Sequence, residues 1–254
     1  MRDSSKIRRI ATVGMFCCAF GLYCRPAPAQ VSTVTAHVEI KKKTDPKQTK
    51  GVRPLANLSE VVLWLKPLDR IPEDSPSDKQ PPKRLQLIQK NKSFQPHVLV
   101  VPISTVVDFP NRDPFFHNVF SLFDGKRFDL GLYEAGATNS VRFDRLGVSF
   151  LFCNIHPEMS AVVIAVDTPY YGVSDRAGNI TIRNLRDGEY ELHVWYERSL
   201  PEDLKTLTRT VTVSSATKDL GMISVPENPS FSPAHKNKYG QDYAPQPSRP
   251  YSDP

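Results

Sequence analysis

Short apolar and polar runs alternate along most of the chain, and the segments between them have no convincing helical period. From residue 34 to 40 every second residue is apolar, as in a strand with one buried face. Short strands at regular spacing predict an all-β protein built from antiparallel sandwiches. The predicted strands are 31–40, 61–67, 85–88, 98–101, 105–109, 117–123, 140–143, 149–152, 160–166, 170–173, 179–183, 189–196 and 208–213.

Two glycine-containing turns add detail near the end of the chain. The turn at residues 175–179 predicts a hairpin between strands 170–173 and 179–183. Tyr190 lies two residues after Gly188, much as a corner tyrosine braces a β-sandwich.

The N-terminus has the layout of a secretory signal peptide over residues 1–29. Basic residues precede an apolar run from Ile10 to Tyr23, and Ala27 and Ala29 form a small-x-small cleavage site. The alternative is a membrane anchor, but a run of about 14 apolar residues is short for a span. We therefore expect a periplasmic or otherwise exported protein with no integral span after cleavage.

Removal of the signal peptide changes the charge and the cysteine content of the chain. Five basic residues and one acidic residue leave with it, so the formal net charge falls from +6 to about +2. Nucleic-acid binding then has little support. Cys153 becomes the only cysteine, so no internal disulfide can form, and the thiol is buried and inert, pairs between chains, or binds a metal.

Proline-rich segments divide the mature chain. Residues 69–84 contain four prolines and many charges, which predicts a linker or exposed loop. Residues 226–254 are also rich in proline and poor in aliphatic side chains, which predicts a disordered tail.

A Cys-x2-His-x2-Met motif follows the strand at 149–152. Cys153, His156 and Met159 are spaced so that a tight turn can bring their side chains toward one ion, and Pro157 stiffens that turn. His117, at the start of another strand, can complete the set. One thiolate, two imidazoles and a weak thioether are the ligands of a type 1 copper centre, whereas zinc rarely accepts a thioether.

Each of these residue types is commonly structural when it occurs alone. A single Met, His or Cys is usually part of a core or a satisfied polar group. The joint pattern in a chain with one remaining cysteine favours a copper site. His97 lies near the start of a strand with no soft ligand beside it, so we expect a structural role for it.

These segments resemble the cupredoxin domain of methylamine-utilisation MauL-type proteins, and the ligand loop is similar to that of amicyanin. The resemblance covers about residues 85–168 and rests on 94–98, 117–121, 128–133 and 153–159. It implies a Greek-key sandwich that holds one type 1 copper ion through His117, Cys153, His156 and Met159. It also implies that Asn118 hydrogen-bonds near the copper loop and ties the two ligand segments together. Ile103 and Ser104 stand where many members have a glycine turn.

Residues 173–192 resemble carboxypeptidase regulatory-like (transthyretin-like) modules, which implies a second, smaller β-sandwich. Such modules open with a strand pair, so residues 30–68 are expected to pair with 168–225, with the cupredoxin domain 85–167 inserted between them. The alternative is two separate domains preceded by an accessory hairpin.

Together these features predict a single-electron carrier that serves an unknown redox partner protein. Phenylalanines 116, 120, 150 and 152 would shield the metal, and the edge of His156 in an exposed loop would pass the electron. Because four ligands leave no open position for a substrate, the pattern favours a non-enzyme. Two alternatives remain, namely copper storage or delivery, and a scaffold module stabilised by a metal.

Overall fold

The computed structural model describes residues 31–42, 57–69, 84–122 and 124–243. Over this part the chain forms seventeen strands and one short helix, α1 (Pro201–Lys205), which confirms the all-β prediction. No helix within the described residues is long and apolar enough to cross a bilayer. The predicted signal peptide at 1–29 and almost all of the predicted linker at 69–84 lie outside the described residues.

The middle of the chain forms a sandwich of a five-stranded and a three-stranded sheet. The five-stranded sheet has the order β6-β12-β11-β8-β9, the three-stranded sheet has the order β10-β7-β3, and β4 pairs with β5 beside them. The strands are β3 (Leu85–Gln86), β4 (Ile88–Gln89), β5 (Phe94–Gln95), β6 (Val98–Pro102), β7 (Thr105–Pro110), β8 (His117–Ser121), β9 (Phe128–Tyr133), β10 (Thr138–Phe143), β11 (Gly147–Phe152) and β12 (Ser160–Val166).

The strands on either side of this segment form two further sheets with the orders β14-β1-β17 and β13-β2-β15-β16. β1 pairs with β14 and β17, and β2 pairs with β13 and β15, so β1 and β2 lie in different sheets. The domain boundaries stay predictions. The strands are β1 (Val31–Lys42), β2 (Val62–Pro67), β13 (Tyr171–Val173), β14 (Asn179–Arg186), β15 (Gly188–Trp195), β16 (Arg209–Val213) and β17 (Asp219–Glu227).

β12 is apolar on both faces because each face packs against a different core. Ala161 and Val163 point into the middle sandwich with Leu151, whereas Val162 and Ile164 belong to a core that also contains side chains of β1, β2 and β13–β17. Side chains alternate between the two faces of a strand, so burial on both sides requires a continuous apolar run. Strand β12, which follows the loop that contains Cys153, is therefore held by packing on both of its faces.

The turn at 175–179 forms, but the hairpin predicted there does not. Asp175 N–H donates to the Asn179 carbonyl and Gly178 N–H donates to the Asp175 carbonyl. The two strands that leave this turn nevertheless pair elsewhere, β13 with β2 and β14 with β1. A local turn signal does not determine which sheet each strand joins, because that choice depends on long-range pairing.

Tyr190 is a corner tyrosine. Its ring is buried, and its hydroxyl donates to the carbonyl of Arg186 over 2.8 Å. Burial raises the pKa of this phenol to about 12, so the hydroxyl remains a donor at neutral pH.

Residues 226–243 differ from the predicted disordered tail. β17 continues through Glu227 by parallel pairing with β1, and the chain then makes defined contacts up to Tyr243. Strand β17 is absent from the sequence prediction because glycine and proline within it have low strand propensity, which tertiary pairing overrides. The rest of the predicted tail, 244–254, lies outside the described residues.

Candidate metal centre

Three potential metal ligands converge at one end of the middle sandwich. Cys153 and His156 lie in the loop between β11 and β12, and His117 begins β8, which pairs with β11. The Cys153 sulfur is 3.9 Å from Nδ1 of His117 and 3.5 Å from Nδ1 of His156. All three side chains are buried, and the structure places them as a group able to hold a metal ion.

The spacing of these atoms fits a first-row metal ion. Metal–sulfur distances of about 2.3 Å and metal–nitrogen distances of about 2.0 Å place sulfur and nitrogen about 3.5–3.7 Å apart in tetrahedral or trigonal geometry. The two observed separations lie close to that range. One sulfur and two imidazole nitrogens are also a donor set that copper accepts.

Backbone hydrogen bonds close the ligand loop and bring Met159 back to its start. Cys153 N–H donates to the Met159 carbonyl over 3.2 Å, and Met159 N–H donates to the His156 carbonyl over 3.1 Å. The Met159 side chain is fully buried in the same core as Cys153. The loop thus brings the backbone of Met159 next to that of Cys153, and the assignment of its thioether as a weak fourth ligand stays a prediction.

A carboxylate orients the His117 imidazole. Nε2 of His117 lies 2.8 Å from Oδ2 of Asp113, which also accepts the N–H of Lys92, and Oδ1 accepts the N–H of Asn91. Burial opposes ionisation of Asp113, but these N–H groups and His117 together lower its pKa. With the proton on Nε2, the lone pair of Nδ1 faces Cys153, as metal ligation requires.

Burial keeps both imidazoles neutral and the thiol protonated in the absence of a metal. It lowers the pKa of His117, and it lowers the pKa of His156 to about 4, with His117 adding to the second shift. Burial also raises the pKa of the Cys153 thiol, although backbone N–H groups of Asn118, Ile155 and His156 oppose this. A metal ion held by the Cys153 thiolate and the two neutral imidazoles would therefore displace the proton of the thiol.

The aromatic shield differs from the predicted one. Phe115 packs against both imidazoles, with ring centroids 5.2 Å from His117 and 5.6 Å from His156. Phe116 instead is 54% exposed, and Phe150 packs in the core on the outer face of its sheet. Adjacent phenylalanines in a loop have no periodicity from which the inward-facing one could be predicted.

The His156 side chain is largely enclosed. Only 5% of its surface is accessible, which leaves a small edge of the residue in contact with solvent. Pro157 beside it is half-buried and Glu158 is exposed, and the passage of electrons through the His156 edge stays a prediction.

Asn118 links β8 to β9 through its side chain. Its amide donates to Oδ1 of Asp129 over 2.7 Å and to the Gly131 carbonyl over 2.9 Å. The backbone N–H of Asn118, and not its side chain, faces the Cys153 sulfur.

His97 lies outside the group of ligands. Its Nδ1 is 3.1 Å from the Ser160 carbonyl, and its Nε2 is 2.7 Å from Oε2 of Glu197, which follows β15. The residue therefore connects the middle sandwich to the strands that flank it.

Known structures similar to this chain include several copper proteins. The matches include a Cu-containing nitrite reductase from Thermus scotoductus SA-01 (23% identity, TM-score 0.33, 35% of this chain and 24% of that one). They also include a purple cupredoxin from Nitrosopumilus maritimus (24% identity, TM-score 0.30, 32% of this chain and 99% of that one). An oxidised proline-to-alanine mutant of amicyanin matches at 17% identity and TM-score 0.32, over 35% of this chain and 89% of that one.

No family model matches the sequence. No curated protein matches it either. The chain spans about a quarter of the nitrite reductase that it resembles.

Proposed function

We propose that this chain is an exported type 1 copper protein that carries single electrons between redox partners. The observation that carries the proposal is the position of the Cys153 sulfur, 3.5 and 3.9 Å from two buried imidazole nitrogens. The ligands are His117, Cys153 and His156, with Met159 as a weak axial donor. Zinc accepts thiolate and imidazole but rarely a thioether, so a methionine ligand favours copper over zinc.

The chain supplies a binding pocket that needs little rearrangement. Asp113 fixes the His117 ring, the hydrogen bonds of Cys153 and Met159 close the loop, and Phe115 excludes water from the imidazoles. A copper ion bound here would accept and release one electron. A rigid, dry site keeps the ligand geometry the same in both oxidation states, which favours fast transfer.

The domain architecture of the proposal follows the sequence resemblances. Residues 85–167 would form a MauL-like cupredoxin domain inserted in a transthyretin-like module made of 30–68 and 168–225. The pairing of β1 with β14 and β17, and of β2 with β13 and β15, supports this division. A redox partner protein, export to the periplasm and the absence of enzymatic activity belong to the same proposal.

Copper storage or delivery is the alternative that experiment must separate from electron transfer. A delivery site has to release its ion, whereas the three ligands here are between 0% and 5% exposed. A redox titration of the copper-loaded protein tests the difference. We expect a reversible one-electron couple with copper retained in both states. Loss of copper on reduction would overturn the proposal in favour of delivery.

A further inference from the structure

The segment that follows β17 returns to the metal loop. Asn228 N–H donates to the Arg198 carbonyl, and the Arg198 guanidinium lies over the ring of Phe231, which holds the start of the segment against the end of β15. Residues 235–243, here called the C-terminal strap, then contact the loop that contains Cys153. A tight turn organises the strap, because Asn237 Oδ1 accepts the N–H groups of Tyr239 and Gln241.

The first anchor of the strap is aromatic. His235 packs on Phe152, the residue before Cys153, with ring centroids 4.0 Å apart and an angle of 31° between the planes. The Tyr243 hydroxyl donates to the Cys153 carbonyl over 2.7 Å and lies 3.2 Å from Nδ1 of His235. Burial raises the pKa of Tyr243, so the hydroxyl is protonated at neutral pH and can donate.

The second anchor is polar and involves the residue that follows Cys153. Lys238 N–H donates to Oδ1 of Asn154 over 3.0 Å, and Nζ of Lys238 is 2.8 Å from Oδ2 of Asp129. Oδ1 of Asp129 accepts the side-chain amide of Asn118, whose backbone N–H faces the Cys153 sulfur. Lys238 is thereby connected to the residue after Cys153 and, through Asp129, to the residue whose N–H faces the thiol.

We infer that the C-terminal strap positions the metal loop, with Tyr243 and Lys238 as its positioning residues. Neither residue touches the ligand side chains, so the strap acts through the backbone of Cys153 and through Asn118. It restrains the loop before any metal binds. The part of this inference that concerns copper rests on the proposed function.

A conservative pair of variants tests the strap. Tyr243→Phe removes the hydroxyl and keeps the ring, while Tyr239→Phe makes the same chemical change on a strap residue that is 70% exposed and keeps the ring over which Nζ of Lys238 lies. Loss of one buried hydrogen bond should speed amide exchange in the metal-free loop 153–159 by about 5- to 10-fold in Tyr243→Phe. Tyr239→Phe should exchange at the wild-type rate.

The copper-loaded forms supply the second readout. Tyr243→Phe should transfer copper to a chelator several-fold faster than the wild type and shift the energy of its visible absorption band, whereas Tyr239→Phe should do neither. Lys238→Met should produce the same changes through the second anchor.

The outcomes separate the two proposals. Equal amide-exchange rates of loop 153–159 in Tyr243→Phe and Tyr239→Phe would overturn the inference that the strap positions the loop. Faster exchange in Tyr243→Phe without any change in the rate of copper release or in the visible absorption band would overturn it as well. Faster exchange in a protein whose wild type binds no copper would support the strap and overturn the proposed function.

Discussion

Nε2 of His117 and Oδ2 of Asp113 lie 2.8 Å apart, and both side chains are buried. The carboxylate is itself held by the N–H groups of Asn91 and Lys92. This contact fixes the side of the His117 ring that faces Cys153. Asp113 therefore contributes to the candidate metal site through His117, although it contacts the nitrogen of the ring that does not face Cys153.

Replacing Asp113 by Asn should weaken copper binding. An amide has one acceptor oxygen where the carboxylate uses two, so either His117 or a backbone N–H loses its partner. Loss of a carboxylate behind a ligating histidine typically lowers metal affinity by 10- to 100-fold. We expect about 10-fold weaker copper binding in Asp113→Asn, measured by competition with a chelator.

Asp108→Asn is the matched control for this prediction. Asp108 is a buried carboxylate that pairs with Arg84 and accepts a hydrogen bond from Ser140, both remote from the ligands. The Asp108→Asn substitution should lower the free energy of unfolding and leave the copper affinity unchanged. Equal copper affinities in the two variants would show that Asp113 does not orient His117.

The contact between His97 and Glu197 should make stability depend on pH. The hydrogen bond to Glu197 raises the pKa of His97, burial opposes the shift, and the charges of Glu197 and Glu60 add to it. A raised folded-state pKa stabilises the protein below the ordinary histidine pKa of about 6.5, and this contribution is lost as pH rises through the folded pKa.

His97→Gln should therefore lower the free energy of unfolding more at about pH 6 than at about pH 9. Urea unfolding of the wild type and the variant at both values measures this difference. His37→Gln, which changes a histidine hydrogen-bonded to neutral Asn179, is the control and should show a much smaller pH dependence. If His97→Gln lowers the free energy of unfolding equally at both pH values, that result would contradict the ion pair between His97 and Glu197.

Ser104 adopts a left-handed conformation with φ of 70°, in the turn between β6 and β7. A side chain at such a φ costs about 1–2 kcal/mol, and glycine relieves that cost while losing some entropy. Ser104→Gly should raise the free energy of unfolding by about 0.5–1 kcal/mol. Ser104→Ala retains the Cβ atom and should not raise the free energy of unfolding. Urea unfolding of the wild type and both variants measures these differences.

The all-β fold and four candidate metal ligands could be predicted from the sequence. The structure brings three of these residues together, namely His117, Cys153 and His156. Cys153, His156 and Met159 fall within one short loop, so their convergence follows from local geometry. The convergence of His117 with them depends on the pairing of β8 with β11. That pairing joins residues more than thirty positions apart, so the local pattern around Cys153 does not encode it.

Other parts of the site depend on contacts that local patterns do not encode. Asp113 is four residues before His117, but no periodicity indicates that the two side chains meet. The strap is poor in aliphatic residues, and therefore the sequence predicted disorder, yet it is held by aromatic and polar contacts. Tyr243 and Cys153 are 90 positions apart in the chain.

The visible absorption spectrum of the oxidised, copper-loaded protein tests the central claim most directly, namely that Cys153 binds copper as a thiolate together with His117 and His156. We predict an intense thiolate-to-copper charge-transfer band that is present in His97→Ala and absent in Cys153→Ser. A protein that stays colourless with cupric salt, or a Cys153→Ser variant that keeps the band, would contradict the assignment.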